Sequence, residues 1–451
     1  MTDAMSETVP GTTPDVMPET VPGTTPEEMS QAVPTTTPDA MPEVTPGVRP
    51  GATGRPAAGG PGARLRAALA AAGEDRIVLD LGGIGDRYTE LVRELPGVDV
   101  RFAMKSCPVQ EVVGGLARLG AGVDAASPRE IEEALRAGVP AERVHYGNTI
   151  KSDEAIAAAR RMGVEVFATD SAEDVAALAR VAPGARVFVR LATDGHGSLW
   201  GLTGKFGCSG DEAVELLVRA RESGLVPSGV SVHVGSQQMT AEAWRAAFER
   251  ITGVLHALDG RGIALDHVNL GGGLPASGYR DRHGRPLDPP LDKILCVIRE
   301  GMQACRRAAG RDLGFVIEPG RHLVADNGAI RARVARLTTR RGPDGGPRRW
   351  LFLSCGRFNG LYEMDQVQYR LLFPSHPDDA ETVPAVVAGP TCDSDDAYGH
   401  DGPADLVRVP RGLSSGDPVW VLSAGAYAVS YTTLGFNGFD PLPYVCVGGE
   451  R

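Results

Sequence analysis

Between residues 100 and 320 the chain repeats one pattern eight times: a short apolar or β-branched run, then a longer segment with apolar residues at helical spacing. The strand-like runs are VRFAMK (100–105), AGVDAAS (121–127), RVHYGN (143–148), VEVFAT (164–169), RVFVRLA (186–192), GVSVHVG (229–235), HVNLGG (267–272) and FVIEPG (315–320). Segments such as SPREIEEALRAG, SDEAIAAARRMG and SAEDVAALARVA lie between them, each opening on a serine suited to cap a helix and ending in a small or turn residue. An open doubly wound sheet satisfies the same alternation. Eight units are the number that closes a parallel (β/α)8 TIM barrel, so the barrel is the expectation.

The flanks differ from this core. Residues 1–62 hold 12 of the 34 prolines and no Phe, Trp or Tyr, and VPGTTP, VPGTTP and VPTTTP recur there with a 12-residue step. Such a segment has too little to bury, and we expect a disordered Pro/Thr-rich tail. From residue 63 an Ala-rich helix leads through RIVLDLG, a strand, into the helical GDRYTELVREL, and we place both helix and strand with the barrel domain, 63–330. Beyond it RARVARLTTR, RRWLFLSCG, AVVAGPTCD and DPVWVLSAGAY alternate like strands between turns such as PDGG and SSGD. Residues 331–451 therefore read as a second, mainly antiparallel β domain.

Composition narrows the partners. The 46 Lys and Arg stand against 57 Asp and Glu, a net charge of −11, which argues against nucleic acid as the main ligand. The tail carries −6 of this, so the folded body is only mildly acidic. Seven scattered cysteines without a CxxC pair read as free thiols in a reducing cytoplasm. Neither an export signal nor an apolar run of about 18 residues is seen, so no membrane span is expected.

Catalytic groups of a barrel sit at the carboxyl ends of its strands. There this sequence has Lys105 after the first run, Asp124 in the second, His233 and Ser236 at the sixth, Gly271, Gly272 and Gly273 after the seventh, and Glu318 with Arg321 at the eighth. Each alone has an ordinary explanation: a solvated strand end, a packed histidine, a turn, an ion pair. One ligand uses all of them. Pyridoxal 5'-phosphate needs a lysine amine for its Schiff base, a glycine loop and a cation for its phosphate, and a carboxylate at its pyridine nitrogen. His233 is suited to stack on the ring, and Ser236 to donate to the phosphate; no metal is needed.

On these residues the chain resembles the fold-type III pyridoxal phosphate decarboxylases, which include ornithine, lysine, arginine and diaminopimelate decarboxylases. The likeness covers roughly residues 75–445 and implies an alanine racemase-like barrel. FAMKSCP resembles the family's cofactor-lysine strand, and GVDAASPREI the segment that places an aspartate and a glutamate, here Asp124 and Glu130, near the cofactor. HVGSQ, GGG and EPGR supply the stacking His233, the phosphate groups Ser236, Gly271 to Gly273 and Arg321, and the pyridine partner Glu318. GPTCDSDD resembles the family's Cys-Asp motif, which implies Cys392 as proton donor and Asp393 as a ligand of the substrate amine. In GAYAVSYTTLGFNGF the resemblance implies Tyr427 on the phosphate and Phe436 lining the site. It also implies a head-to-tail homodimer in which Cys392 and Asp393 complete the partner's site.

The Cys-Asp form is similar to the ornithine and lysine branch, whereas diaminopimelate decarboxylases typically carry Cys-Glu-Ser. FNGLYEMD offers Glu363, beside Tyr362, as the second acid for a distal ammonium, since a buried cation needs a paired charge. The expected reaction is thus decarboxylation of L-ornithine or L-lysine to a diamine. Alternatives are a diaminopimelate decarboxylase, a decarboxylase of a specialised or carrier-tethered amino acid, and a catalytically dead regulator; a racemase is disfavoured by the EPGR glutamate. One departure stands out. The family often has an arginine just before its KFG motif, where this chain reads GLTGKFG (201–207).

Overall fold

The computed structural model describes residues 60–399 and 402–449. The repetitive tail falls outside them apart from its last residues. Eight parallel strands close into a barrel in chain order: β1 (Val98–Ala103), β2 (Gly122–Ala125), β3 (Val144–Tyr146), β4 (Val166–Thr169), β5 (Arg186–Arg190), β6 (Val226–Ser231), β7 (His267–Asn269) and β8 (Gly314–Ile317). β8 pairs with β1, and β6 with β7, so no edge is left open. This is the expected (β/α)8 barrel, with each strand overlapping its sequence run and three of them, Val98–Ala103, Val226–Ser231 and Gly314–Ile317, beginning one to three residues earlier.

The crossover helices form where their serines place them. Ser127, Ser152 and Ser171 each accept a hydrogen bond from the backbone N–H three residues on, opening the helices Pro128–Arg136, Asp153–Arg161 and Ala172–Val181. Such caps contribute about 1 kcal/mol each. Their apolar faces turn inward, so Ile131, Ile156, Val175 and Leu178 are fully buried against the barrel. These helices hold the strands in register and keep the carboxyl ends of the strands free for loops.

The second body is a nine-stranded sheet dominated by antiparallel pairs, with the long strand Gly328–Arg341 at its centre. On one side it pairs with Pro347–Leu353, on the other with Pro418–Leu422. Here the structure differs from the sequence boundary. The leading strand Arg76–Asp80 runs antiparallel to residues 328–331 and parallel to Tyr444–Val447, so it belongs to this sheet and not to the barrel. The first helix, Ala63–Ala71, follows it, burying Leu65 and Leu69 against Val78, Trp420 and Leu422. The physical reason is that this strand, apolar at Ile77, Val78 and Leu79, satisfies its backbone by pairing with segments some 250 and 370 positions away.

Candidate active site

The ends of β1, β6 and β8 and the loop after β7 surround a narrow cleft. Lys105, His233, Ser236, Gly272, Gly273, Glu318, Arg321 and Tyr427 all line it. Lys105 follows β1 on a single 3-10 turn, Met104–Ser106, so its backbone is anchored while about half of its side chain stays open. Its Nζ lies 3.7 Å from Asp124 Oδ2 on the neighbouring strand. Burial opposes the Lys105 charge, but Asp124, Tyr427 and Glu318 together hold its pKa above the ordinary lysine value.

Glu318 sits just beyond β8. Asn269, at the end of β7, donates to its Oε1 at 2.5 Å and accepts from the Gly271 N–H at 2.8 Å, so one side chain orients both the acid and the glycine loop. Burial and the nearby Asp124 carboxylate push the Glu318 pKa up to about 7. His233 is held neutral by burial and by the charges of Arg190 and Lys105, and its Nδ1 accepts from the Gly235 N–H at 3.1 Å. That bond leaves the ring proton on Nε2.

The three glycines after β7 are required by space. A Cβ at Gly271 would stand 2.0 Å from the Val232 carbonyl oxygen, at Gly272 2.9 Å from His233 Nε2, and at Gly273 2.6 Å from the Gly235 carbonyl oxygen. Gly271 and Gly273 also adopt positive φ, 62° and 111°. The loop therefore packs against the histidine motif and presents backbone where a side chain would block the cleft.

Arg321 is the buried cation of the site, 4% exposed. Its Nε donates to Ser236 Oγ at 3.2 Å, and the guanidinium lies over Trp200, Tyr427 and Tyr279 at 4.3, 4.9 and 5.5 Å. Both Glu363 oxygens accept from it, at 2.5 and 2.6 Å. Glu363 thus stands within the Arg321 cluster, buried. Tyr427 holds a left-handed φ of 63°, fixed by its N–H donating to the Ser106 carbonyl oxygen at 2.7 Å, which ties the β domain to the turn bearing Lys105.

Cys392 and Asp393 are not among the residues lining this cleft. Cys392 is exposed, and its N–H donates to Asn437 Oδ1 at 2.9 Å, placing it beside Phe436 on the turn Phe436–Gly438. Asp396, 2% exposed, fixes the loop by accepting from the Arg357 and Thr391 N–H groups and the Thr391 hydroxyl. The same face carries Tyr362 and Tyr431, 44% and 46% exposed with ring centroids 4.7 Å apart, and Phe358 against Phe436 at 4.3 Å. Glu130 accepts from the Ala126 N–H at 2.6 Å and so supports the turn after β2.

Sequence reasoning passed over several contributors: Asn269, Arg190, Trp200, Tyr279 and Asn437. Arg190 ends β5 and acts electrostatically on Glu318 and Asp124, with its guanidinium 5.1 Å from the Phe206 ring of the KFG segment. A cation is therefore present against that segment, although glycine occupies 201 and 204. The position of Asn269, two residues before the glycine loop, was the signal available.

A family profile described as pyridoxal-dependent decarboxylase, pyridoxal binding domain, matches residues 81–325. The chain belongs to the pyridoxal-dependent decarboxylases. It is 33% identical to the diaminopimelate decarboxylase of Pseudomonas aeruginosa over 377 residues, 81% of this chain and 84% of that one. It is 28% identical to the lysine/ornithine decarboxylase of Selenomonas ruminantium over 373 residues, 82% of this chain and 88% of that one. Among solved structures, the lysine/ornithine decarboxylase of Vibrio vulnificus complexed with putrescine superposes with a TM-score of 0.73 at 27% identity, covering 85% and 96% of the two chains. SrLDC in complex with PLP and cadaverine gives 0.72 at 26%, covering 85% and 93%.

As in other pyridoxal-dependent decarboxylases, the cofactor is pyridoxal phosphate, and the residues present fit it. An amine, a carboxyl group, a flat neutral imidazole and a cation converge on one cleft whose glycine wall would not accept side chains. Asp124 turns Oδ2 toward Lys105, while its buried Oδ1 packs against Gly147, where a Cβ would stand 1.8 Å away.

Proposed function

We propose that this chain decarboxylates a basic amino acid, L-ornithine or L-lysine, to a diamine and CO2, acting as a cytoplasmic homodimer with shared active sites in polyamine formation. The observation that carries this reading is the separation of the chain's own motifs. Lys105, Glu318 and Arg321 line the cleft, while Cys392 and Asp393 project from an aromatic face of the β domain. Two copies joined head to tail through that face would bring one copy's Cys392 and Asp393 to the other's Lys105.

Bound pyridoxal phosphate supplies the electron sink that makes loss of CO2 feasible. The protein's own groups do the rest. The Lys105 amine, 3.7 Å from Asp124, would hold the cofactor covalently. Glu318, with its raised pKa, keeps a proton at the pyridine nitrogen, and Asn269 fixes the carboxyl orientation. His233 would pack against the ring, and Ser236, Arg321, Tyr427 and the Gly271 to Gly273 backbone would hold the phosphate. Cys392 Sγ delivers a proton to the α-carbon once CO2 has left. Asp393 and Glu363 receive the distal ammonium, beside Tyr362 and Phe436. A carboxylate has about four acceptor positions. Glu363 has given two of them to Arg321, so an ammonium would share it.

A second reading has one observation in its favour. The Arg357 guanidinium lies 5.5 Å from the Tyr362 ring, where it could meet a distal carboxylate, as diaminopimelate has. Asp393→Ala separates the two. For ornithine or lysine it should raise KM at least about tenfold, the worth of one charge-assisted hydrogen bond, with a smaller effect on kcat. An unchanged KM for both, with turnover of diaminopimelate, would favour the second reading.

A further inference from the structure

Between the phosphate cation and the aromatic face of the β domain the side chains stand in file. The Arg321 guanidinium lies 4.9 Å from the Tyr427 ring, Tyr427 stacks on Tyr431 at 4.9 Å with 26° between the planes, and Tyr431 meets Tyr362 edge-on at 4.7 Å and 65°. Local backbone sets this order. The Tyr431 N–H donates to the Tyr427 carbonyl oxygen at 2.9 Å, a single turn of helical spacing that puts the two rings side by side. Just beyond it the Thr433 N–H, at 2.9 Å, and the Thr432 and Thr433 hydroxyls, both at 3.2 Å, donate to the Phe358 carbonyl oxygen. The turn is thereby tied to the loop that leads into Tyr362 and Glu363.

Tyr431 is the member of this file that the decarboxylation chemistry leaves unused. Tyr427 lines the cleft with Lys105, and Tyr362 adjoins Glu363, the acid proposed for the distal ammonium. Tyr431 touches both rings and so spans from the cofactor end of the site to its distal end. The charges at the two ends reach it as well: the Lys105 ammonium and the Glu363 carboxylate both act on its hydroxyl. Burial, Tyr427 and Glu363 hold the Tyr431 pKa above the ordinary tyrosine value against the opposing effect of Lys105, so the ring stays neutral. Although Tyr427 covers one side of it, the residue keeps 46% of its surface open. What it offers there is a neutral, largely hydrocarbon surface between two charged ends. A diamino acid has the matching form, an apolar stem between two charged groups, and each methylene buried on such a surface is worth about fourfold in affinity.

We propose that Tyr431 determines chain-length specificity, its open surface being the wall along which the methylene stem of the substrate lies between Lys105 and the distal acids. This rests on the basic amino acid reading above and deepens it. Lysine carries one methylene more than ornithine, so the space left by the side chain at 431 decides between them.

Tyr431→Ala and Tyr431→Trp move the wall in opposite directions. In cofactor-loaded protein the ratio of kcat/KM for L-lysine to that for L-ornithine should rise at least about fourfold in the alanine variant and fall at least about fourfold in the tryptophan variant. Calorimetric Kd values for cadaverine and putrescine should shift in the same sense, without depending on turnover. A merely structural role for Tyr431 would weaken both substrates together and leave the ratios alone, so ratios within about twofold of the unaltered protein in both variants would overturn the proposal. If the tryptophan variant does not fold, the alanine variant decides by itself. If the unaltered protein neither decarboxylates ornithine or lysine nor binds either diamine, the basic amino acid reading itself fails and the wall falls with it.

Discussion

Glu363 gives both carboxylate oxygens to the Arg321 guanidinium, at 2.5 and 2.6 Å, with side chains only 5% and 4% exposed. Tyr279 and Ser236 also accept from Arg321, so four of its five N–H groups are engaged within the chain.

Removing one member of such a pair leaves an uncompensated buried charge. Glu363→Ala should therefore destabilise the cofactor-free protein by about 3–5 kcal/mol and weaken its hold on pyridoxal phosphate, with Glu363→Gln intermediate. Urea unfolding and cofactor titration measure the two effects. A loss below about 1 kcal/mol would mean that Glu363 does not anchor Arg321.

Glu318 predicts a pH dependence of stability. Its carboxyl keeps its proton to about pH 7 in the folded chain and loses it near 4.5 when unfolded. Between these values the folded state binds the extra proton, so its stability falls as pH rises through that window. Relative to Glu318→Gln, the cofactor-free protein should lose up to about 3 kcal/mol between pH 4.5 and 7. A flat difference would show that the carboxyl ionises normally.

Lys105→Ala removes the amine that lines the cleft beside Asp124. Borohydride treatment of the variant should trap no cofactor on the protein, while the unaltered chain should carry it on the peptide containing Lys105. A reduced adduct on another lysine would remove Lys105 from its role.

Shared sites make a prediction that single-chain sites do not. Lys105→Ala and Cys392→Ala homodimers should each be nearly inactive, and mixing them should restore about a quarter of the unaltered activity, from the one intact site in each mixed dimer. No recovery after subunit exchange would place both residues in the same chain's site.

The barrel was legible because its strands fall in short, apolar-rich or β-branched runs and its helices open on capping serines such as Ser127 and Ser171, all local signals. Lys105, His233, Glu318 and the glycines could be named because strand ends in a barrel are where a cofactor is held. What was illegible depends on distant pairing. Nothing near residues 76–80 announces partners at 328 and 444, and nothing in LYEMD shows that Glu363 meets Arg321, 42 positions earlier.

Cofactor-loaded protein incubated separately with L-ornithine, L-lysine, L-arginine and meso-diaminopimelate, with products read by mass spectrometry, distinguishes the readings in one assay. Putrescine from ornithine or cadaverine from lysine, with diaminopimelate untouched, is the expected result. Lysine formed from diaminopimelate, with ornithine and lysine left intact, would contradict it and assign the distal pocket to a carboxylate.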